Sequence, residues 1–396
     1  MTVERIAITG LGLVSSLGMN VKENLDSLLQ SKSGIGNLDF LESIHKDILP
    51  VAEIKKTDEQ LADYLNIGYG THLTRTSLLA MIAAKEAWEE SGFNNNEKSG
   101  LISATTVAGM RTSEKYYVDF LDGKSDAVFL DTHDAGDSTE KVADFLRIKD
   151  FVTTISTACS SSANSIMLGV RMLRSKKLDR VLVGGVDALS LFTINGFNSL
   201  MILDKKPCRS FDHTRAGLNL GEAAAFLTLV PESKLKDSDQ VYGYIQGFAN
   251  ANDAFHQTAS SPDGIGAGLA MKNALEMAGL QAKDIDYINA HGTATGNNDL
   301  SEGLAIMKIF GDQIPPVSST KPFTGHTLAA AGAVESVFAS LAMKHGIIFP
   351  NLNFSTQMEE LSFKPQTELL KTPVKYVLSN SFGFGGNNSS VIFSRD

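Results

Sequence analysis

Short apolar segments alternate with longer amphipathic segments along this chain. Residues 5–10 and 180–186 are rich in branched apolar side chains, which predicts short buried strands. Residues 75–93 and 266–280 contain good helix formers and predict helices, the first of which should stop near Gly92. Strands that alternate with helices are typical of a layered α/β fold.

The chain is long enough for two packed units. Its 396 residues exceed the size at which a single hydrophobic core usually stops growing. The polar stretch 230–240 is the best seam, because no Pro-, Ser- or Gly-rich linker interrupts the pattern elsewhere. Each side of this seam carries a strand, a turn of small residues and a helix. We therefore predict an N-terminal half, 1–234, and a C-terminal half, 235–396.

Composition and charge exclude several classes of protein. The formal net charge of -10 argues against a general nucleic-acid-binding protein. Two cysteines are too few for a disulfide framework or a four-cysteine zinc site, which favours a reducing compartment. The N-terminus lacks the apolar segment of a signal peptide, and no apolar run is long enough to span a membrane. We expect a cytoplasmic protein without nucleic-acid or membrane partners.

One cysteine, Cys159, lies among small polar residues in "STACSSS". Branched residues precede it and predict a strand, whereas Ile166, Val170 and Leu173 follow at helical spacing. We expect Cys159 at a strand-to-helix turn, where backbone N–H groups and the helix dipole would stabilise a thiolate and lower the pKa of the thiol. The alternative is a buried structural cysteine, since free cysteine packs like a small hydrophobic residue. This stretch alone does not separate the two.

Two histidines and a lysine lie in glycine-containing turns of the C-terminal half. His291 follows a predicted strand in "INAHGTAT", and Lys321 and His326 precede an alanine-rich helix in "STKPFTGHTLAAAG". A loop histidine at a strand end is a candidate acid, base or hydrogen-bond donor. Three other interpretations stay open: a structural histidine, a zinc site completed by Cys159, and a solvated surface lysine. No local pair has the spacing that zinc ligands usually show.

Two glycine-rich stretches raise the question of nucleotide binding. Near the C-terminus, "FGFGGNN" joins two strand-like segments, and its glycines permit positive φ angles and close approach. Its spacing matches neither a dinucleotide fingerprint nor a P-loop, which leaves a glycine-rich hairpin turn. Near the N-terminus, "ITGLGLVSSLG" has Ser15 where a dinucleotide-binding turn needs its third glycine. We therefore reject NAD binding.

Taken together, these stretches resemble a known family. "STACSSS", "NAHGTAT", "SSTKPFTGHTLAAAGAVES" and "NSFGFGGNN" occur in the order found in β-ketoacyl-acyl carrier protein synthases, the condensing enzymes of thiolase-like fold. His326 occupies the second-histidine position, so the chain resembles the elongating Cys-His-His branch. A thiolase would carry a second catalytic cysteine in the C-terminal turn, where this chain has "FGFGGNN". The resemblance implies an α/β fold of two similar halves, whose sheets stack between helix layers in five tiers.

The resemblance also implies an activity. The enzyme would be an acyltransferase that joins a malonyl group to an acyl chain by decarboxylative Claisen condensation. Cys159 would hold the acyl chain as a thioester, and His291 and His326 would act at the thioester carbonyl of the malonyl group. Lys321 would hold the histidine geometry together with Glu335.

Further residues match the family's binding elements. Phe384 would be the gate between the acyl and malonyl steps, and its backbone N–H would form an oxyanion hole with that of Cys159. Thr293 and Thr295 match residues that hold the pantetheine arm. The resemblance implies no cofactor or metal of the protein's own, because the substrates arrive on the phosphopantetheine of an acyl carrier protein.

The chain departs from the family pattern in two places that bear on substrate and partner. A glycine-rich wall of the acyl pocket is replaced by "TTVAGM" at 105–110, which leaves the acyl length open. The region that resembles the carrier-docking helix has only Arg75, so Lys205, Lys206 and Arg209 are the best remaining basic patch. We expect chain elongation of the fatty-acid or the aryl-polyene and polyketide type. The departures favour the hypothesis of a specialised enzyme, for aryl polyene or other polyketide chains, over a housekeeping fatty-acid synthase.

The resemblance implies pairing but leaves the partner open. Relatives form dimers, and this chain would pair either with itself or with a chain-length-factor-like subunit. An alternative function is that of such a non-catalytic or decarboxylating subunit. Chain-length factors generally lack the active cysteine, so Cys159 together with both histidines argues against that alternative.

Overall fold

A computed structural model describes residues 4–70, 72–92, 97–125 and 127–396 of the chain. The strands of this part are β1 (Ile6–Ser15), β2 (Ser99–Ala104), β3 (Phe151–Ile155), β4 (Arg180–Asp187), β5 (Ala223–Pro231), β6 (Gly243–Asn252), β7 (Tyr287–Asn289), β8 (Val317–Ser318), β9 (Ile347–Ile348), β10 (Leu370–Lys371), β11 (Tyr376–Gly383) and β12 (Asn387–Ser394).

Its helices lie between these strands. They are α1 (Val21–Leu29), α2 (Asp58–Leu65), α3 (Arg75–Glu90), α4 (Met110–Leu121), α5 (Val128–Asp131), α6 (Ala135–Leu146), α7 (Ser161–Arg174), α8 (Leu191–Ser199), α9 (Ile265–Ala278), α10 (Gly296–Phe310), α11 (Lys321–Thr324) and α12 (Ala331–His345). Short 3-10 turns connect several of them.

The sheet topology repeats. The first half has the strand order β3-β2-β4-β5-β1, and the second has β8-β7-β11-β12-β6, which is the same order when each half is counted from its own first strand. In both halves the first three strands of this order are parallel and the remaining pairs are antiparallel. Strands β1 and β6 join the halves edge to edge through three residue pairs, from Ile6–Ile245 to Ile8–Gly243. The fold is therefore two similar β/α units.

Helices cover and separate the two halves of the sheet. Helices α7 and α12 contact each other and strands of both halves, so they form a central layer. Helix α3 packs on β1 and β5 outside the first half, and α9 packs on β6 and β12 outside the second. This arrangement gives the five predicted layers, helix–sheet–helix–sheet–helix. Its largest hydrophobic cluster lies around the central layer and includes Ile166, Val170, Val334 and Phe338.

The predicted elements are found where the sequence places them. Helix α3 begins after Thr74, whose hydroxyl accepts a hydrogen bond from the N–H of Ser77, as an N-cap does. It ends at Glu90, close to the predicted stop, and the end of the predicted segment at 93 lies outside the described residues. Helix α9 ends at Gly279, whose φ of 68° suits a C-cap glycine.

The topology brings the candidate residues to one edge of the fold. The carboxyl ends of parallel strands meet at the same edge of a sheet, where loops from different strands converge. Cys159 follows β3, His291 follows β7, and Lys321 and His326 follow β8. Phe384 follows β11, which is parallel to β7. Segments that are distant in sequence thus build one site.

Candidate active site

Cys159 lies in the tight turn between β3 and α7, as predicted. The residue before it, Ala158, has a φ of 54°, which is uncommon for a residue with a side chain. Gly383 packs directly against this turn, because a Cβ on Gly383 would lie 3.0 Å from the backbone N of Cys159. Cys159 itself is buried, with 6% of its surface exposed. The glycine-rich turn and the cysteine turn therefore form one packed unit.

The thiol of Cys159 differs from its prediction in one respect. The sequence predicts a lowered pKa, whereas burial raises the pKa of Cys159 to about 11. The charge of Lys321 and a hydrogen bond from the backbone N–H of Phe384 act in the opposite direction on this pKa, but they do not outweigh burial. The position of Cys159 at the start of a helix did not predict its pKa correctly, because the second half of the chain covers the turn.

His291 is held from behind by a buried ion pair. The ammonium nitrogen of Lys321 lies 3.2 Å from Nδ1 of His291 and 2.5 Å from a carboxylate oxygen of Glu335. An ammonium group can only donate hydrogen bonds, so Nδ1 of His291 accepts and its proton is on Nε2. Burial raises the pKa of the Glu335 carboxyl to about 7, although Lys321 opposes that shift. The predicted pairing of Lys321 and Glu335 is present in the structure.

His326 has the same tautomer for a different reason. Its Nδ1 accepts a hydrogen bond of 3.2 Å from the backbone N–H of Leu328, which leaves Nε2 as the donor. The ring centroids of His291 and His326 lie 5.3 Å apart, with the ring planes at 85°. Burial lowers the pKa of both imidazoles well below their usual value, and the charge of Lys321 lowers it further. Both histidines are therefore neutral and each offers one N–H.

A cavity of about 240 Å³ brings most of the predicted residues together. Its lining includes Cys159, His291, His326, Phe384, Thr293 and Thr295. Lys321 and Glu335 do not line it but lie buried behind His291. Apolar side chains, among them Phe197, Ile202 and Leu218, complete the wall. One cavity thus offers a thiol, two imidazole N–H donors and apolar surface.

The turn that carries Phe384 lies over the cavity. Gly385 and Gly386, which follow Phe384, have φ angles of 79° and 71°, so this turn needs glycine. The ring of Phe384 stacks on Phe197, with the centroids 5.6 Å apart. The backbone N–H of Phe384 acts to lower the pKa of the Cys159 thiol, against the effect of burial. Phe384 therefore contributes both a ring and a backbone donor at the nucleophile.

Thr293 and Thr295 lie at the other side of the cavity. Their hydroxyl oxygens are 2.9 Å apart, and Thr295 is the residue before α10. The guanidinium of Arg215 donates to the carbonyl oxygens of Thr295 and Gly296 at 3.2 and 2.7 Å, which holds this loop. The loop is thus held in place, the two hydroxyls contact each other, and both threonines line the cavity.

Two residues of the site were missed by the sequence analysis. The carboxylate of Glu302, buried in α10, accepts the backbone N–H groups of His291 and Gly292 at 2.9 and 2.8 Å. Phe197, on α8, supplies the ring on which Phe384 stacks. The acidic residues at the start of α10 were a signal for Glu302, because a turn rich in free N–H groups needs acceptors. No local signal identifies Phe197.

Two of the expected docking cations are engaged elsewhere. Arg75 is buried and pairs with Glu222, its guanidinium donating at 2.9 and 2.7 Å. Arg209 pairs with Asp204 at 2.7 Å and is only partly exposed. Lys205 and Lys206 are exposed. The basic patch is therefore reduced to the two lysines.

Two features of the described residues bear on metal binding and on membranes. Within those ranges, no group of three His, Cys, Asp or Glu side chains is arranged to hold a metal ion. No helix in the same ranges has the length and apolar character needed to cross a bilayer.

Comparison with known proteins assigns the chain to a family. Residues 3–234 match the model of the beta-ketoacyl synthase N-terminal domain, and residues 242–355 match that of the C-terminal domain. The chain is 34% identical to 3-oxoacyl-[acyl-carrier-protein] synthase 2 of Coxiella burnetii (strain RSA 493 / Nine Mile phase I), covering 100% of this chain and 99% of the relative. It is 30% identical to the enzyme of the same name from Staphylococcus aureus (strain COL), covering 99% and 98%.

Solved structures of the same kind share the fold. The ishigamide ketosynthase/chain length factor superposes with a TM-score of 0.93 at 28% identity, covering 100% of both chains. A chain from the structure of the ketosynthase ApeO in complex with its chain length factor ApeC, from Xenorhabdus doucetiae, gives a TM-score of 0.86 at 30% identity, covering 99% of this chain and 98% of that chain. These matches confirm the predicted acyltransferase class and thiolase-like α/β fold. The chain belongs to the β-ketoacyl synthase family.

Proposed function

We propose that the chain condenses a malonyl group, presented on an acyl carrier protein, with an acyl chain held as a thioester on Cys159. One observation carries this proposal: two neutral imidazoles and one thiol line the same cavity, and both imidazoles have their free N–H at Nε2. Two N–H donors beside a nucleophile suit a reaction in which negative charge develops on a thioester oxygen.

The first step is acylation of the cysteine. The sulfur of Cys159 attacks the thioester carbonyl of the incoming acyl chain, and the bond between that carbonyl and the carrier sulfur breaks. The thiol proton of Cys159 passes to the carrier sulfur, which leaves as a thiol. The oxyanion that forms accepts hydrogen bonds from the backbone N–H groups of Cys159 and Phe384. In support, both N–H groups act on the pKa of the Cys159 thiol, so both lie beside the sulfur. The acyl chain then packs along apolar residues of the cavity such as Phe197 and Leu218.

The second step is decarboxylation of the malonyl group. The bond to the carboxylate breaks, CO₂ leaves, and the electron pair forms an enolate on the thioester. The Nε2–H groups of His291 and His326 donate to the enolate oxygen, and one such donor is typically worth roughly 3 kcal/mol. Burial keeps both rings neutral, and Lys321 adds to this effect, so they act as donors and not as cations.

The third step forms the carbon–carbon bond. The enolate carbon attacks the acyl carbonyl on Cys159, the bond between that carbonyl and sulfur breaks, and the cysteine leaves as a thiolate. The product remains on the carrier as a β-ketoacyl thioester. The loss of CO₂ makes the sequence favourable, so the proposal requires no further co-reactant.

We propose that an acyl carrier protein delivers both substrates. Thr293 and Thr295 would hold its pantetheine arm, since their hydroxyls are fixed at the cavity wall. Lys205 and Lys206 would meet its acidic surface, because they are exposed and follow the cavity residue Ile202 closely in the chain.

The acyl class and the partner subunit are part of the same proposal. We propose elongation of a specialised polyketide-type chain, such as an aryl polyene, in a homodimer or in a heterodimer with a chain-length-factor-like subunit. Ketosynthases solved with chain length factors, at 28% and 30% identity, support this direction. The alternative, that this chain is itself such a subunit, is disfavoured because Cys159 lines the cavity with both histidines. A preference for saturated acyl carriers in a chain-length competition would count against the specialised pathway.

The division into domains is proposed as well. We place the boundary between 1–234 and 235–396, in the connection between β5, which ends at Pro231, and β6, which begins at Gly243. Residues 1–3 of the first domain lie outside the described residues.

The test is intact-protein mass after incubation with a panel of acyl-carrier proteins, with Cys159→Ala as the control. We expect an acyl-mass gain on the native protein and none on the variant, followed by release of a β-ketoacyl carrier when malonyl carrier is added. A mass gain that persists in Cys159→Ala would place the acyl group elsewhere and overturn the assignment.

A further inference from the structure

A buried carboxylate that the sequence analysis did not single out lies at the end of β4. Asp187 is fully buried, and its carboxylate accepts five hydrogen bonds, all from neutral groups. One oxygen accepts the hydroxyl of Thr105 at 2.6 Å and the backbone N–H groups of Thr106 and Val107 at 2.9 and 3.2 Å. The other accepts the Thr106 hydroxyl at 2.5 Å and the backbone N–H of Ala329 at 2.8 Å. Asp187 therefore joins two loops from different halves of the chain.

One of these loops holds His326. Leu328 has a φ of 50°, in the left-handed region that strains a residue with a side chain. In this conformation its N–H reaches Nδ1 of His326 at 3.2 Å, and the next N–H, that of Ala329, reaches Asp187. The bond to Asp187 thus holds a strained turn whose other hydrogen bond sets the tautomer of His326.

The other loop is strained in the same way. Ala108 has a φ of 46°, and its N–H donates at 3.0 Å to the hydroxyl of Thr105, which in turn donates to Asp187. Val107 and Leu328 belong to one hydrophobic cluster, which also contains the cavity residue Leu218. The loop at Thr105–Val107 is thus a wall behind the apolar side of the cavity. A single carboxylate restrains this wall and the histidine turn together.

We infer that Asp187 is a positioning residue, which fixes the imidazole of His326 for decarboxylation and ties it to the cavity wall at Thr105–Val107. This inference rests on the proposed function, because it assigns His326 to the decarboxylation step. An acyl chain that displaces the wall would move the groups at Thr105–Val107 that donate hydrogen bonds to Asp187. Asp187 would pass this movement to the turn of His326 through its hydrogen bond with Ala329. Acyl length would then affect the malonyl step as well as loading.

The first test removes the carboxylate. Asp187→Asn keeps the size of the side chain but turns an amide N–H₂ toward two of the five donors. We expect kcat for malonyl-carrier decarboxylation to fall by about 10- to 100-fold, as for a misplaced donor, with the malonyl KM and the acylation of Cys159 close to wild type. Glu86→Gln is the matched control, because Glu86 is a partly buried carboxylate that accepts two backbone N–H groups away from the histidines. The control should show wild-type kcat.

The second test addresses the link between Asp187 and the cavity wall at Thr105–Val107. It also keeps the inference testable if Asp187→Asn does not fold. Thr106→Val removes one hydroxyl donor to Asp187 without touching the histidine turn, and Thr106→Ser restores that hydroxyl. We expect Thr106→Val to lower kcat for decarboxylation by a few-fold and Thr106→Ser to recover it. If Thr106→Val changed only the acyl preference and left decarboxylation normal, the inferred link between the wall and the turn of His326 would be wrong.

A third measurement needs no activity. The ring ¹⁵N shifts of His326, recorded by NMR, report its tautomer directly. We expect a single Nε2–H form in the wild type and a mixture in Asp187→Asn. Wild-type shifts in Asp187→Asn, or undiminished decarboxylation, would overturn the positioning role. If the wild-type protein took up no acyl group from any carrier, the proposed function would be refuted instead. The NMR comparison would still decide whether Asp187 positions His326.

Discussion

The ring of Phe384 lies almost parallel to the ring of Phe197, with 17° between the planes and 5.6 Å between the centroids. Phe197 comes from α8 in the first half, whereas Phe384 comes from the glycine-rich turn of the second. The stack therefore joins the two halves over the thiol of Cys159. Hydrogen bonds hold the backbone of this turn, among them one of 2.7 Å from the N–H of Gly385 to the carbonyl oxygen of Gln257, and the stack adds a restraint on the Phe384 ring itself.

Removing the stack should open the way to the thiol. We expect Phe197→Ala to increase the rate of Cys159 alkylation by iodoacetamide by about two- to tenfold, since an aromatic pair of this kind is worth 0.5–1.5 kcal/mol. The measurement is made in a Cys208→Ala background, so that only one thiol reacts. An unchanged alkylation rate would show that Phe197 does not restrain the Phe384 ring.

The thiol should be protonated at neutral pH in the absence of substrate. Burial raises the pKa of Cys159 to about 11, so the thiolate fraction increases with pH throughout the physiological range. We expect the alkylation rate of Cys159, again with Cys208→Ala, to rise steadily up to about pH 10 without a plateau. A plateau near neutral pH would mean that the helix start and Lys321 outweigh burial.

Each histidine should matter to the malonyl step and not to loading. We expect His326→Ala and His291→Ala to lower malonyl decarboxylation by about 100-fold or more, because each variant removes one N–H donor to the enolate. Acylation of Cys159, followed by intact mass, should survive in both. Loss of loading with intact decarboxylation would reverse the assignment of roles.

The contribution of Glu86 to protein stability should fall as the pH rises from 5 toward 7. Burial raises the pKa of Glu86 from its ordinary 4.5 to about 7, so the folded state holds a proton that the unfolded state has released. This contribution is complete below about pH 4.5 and is lost as the pH passes 7. We expect Glu86→Gln to flatten the decline of the melting temperature between pH 5 and 7.5. An identical pH profile in the variant would contradict the raised pKa.

Site residues could be predicted from the sequence where the neighbouring residues indicate their position. Cys159 could be placed at a turn because a branched strand and a helical face adjoin it, and the two histidines because glycines flank them. Phe197 could not be placed, since it acts through Phe384, which is distant along the chain. The pKa of Cys159 was predicted in the wrong direction for the same reason, because burial of the turn comes from the packing of Gly383.

The repeated strand order creates equivalent positions in the two halves, and the residues at these positions differ in their roles. Cys159 follows the third strand of the first half, and Lys321 and His326 follow the third strand of the second. Likewise Thr105–Val107 follows the second strand of one half, and His291 the second strand of the other. In the proposed function, the first half thus provides the cavity wall and the thiol, and the second half provides the N–H hydrogen-bond donors of the two histidines. Selection can then vary the acyl-binding copy while the donors remain, which gives new products without a new reaction.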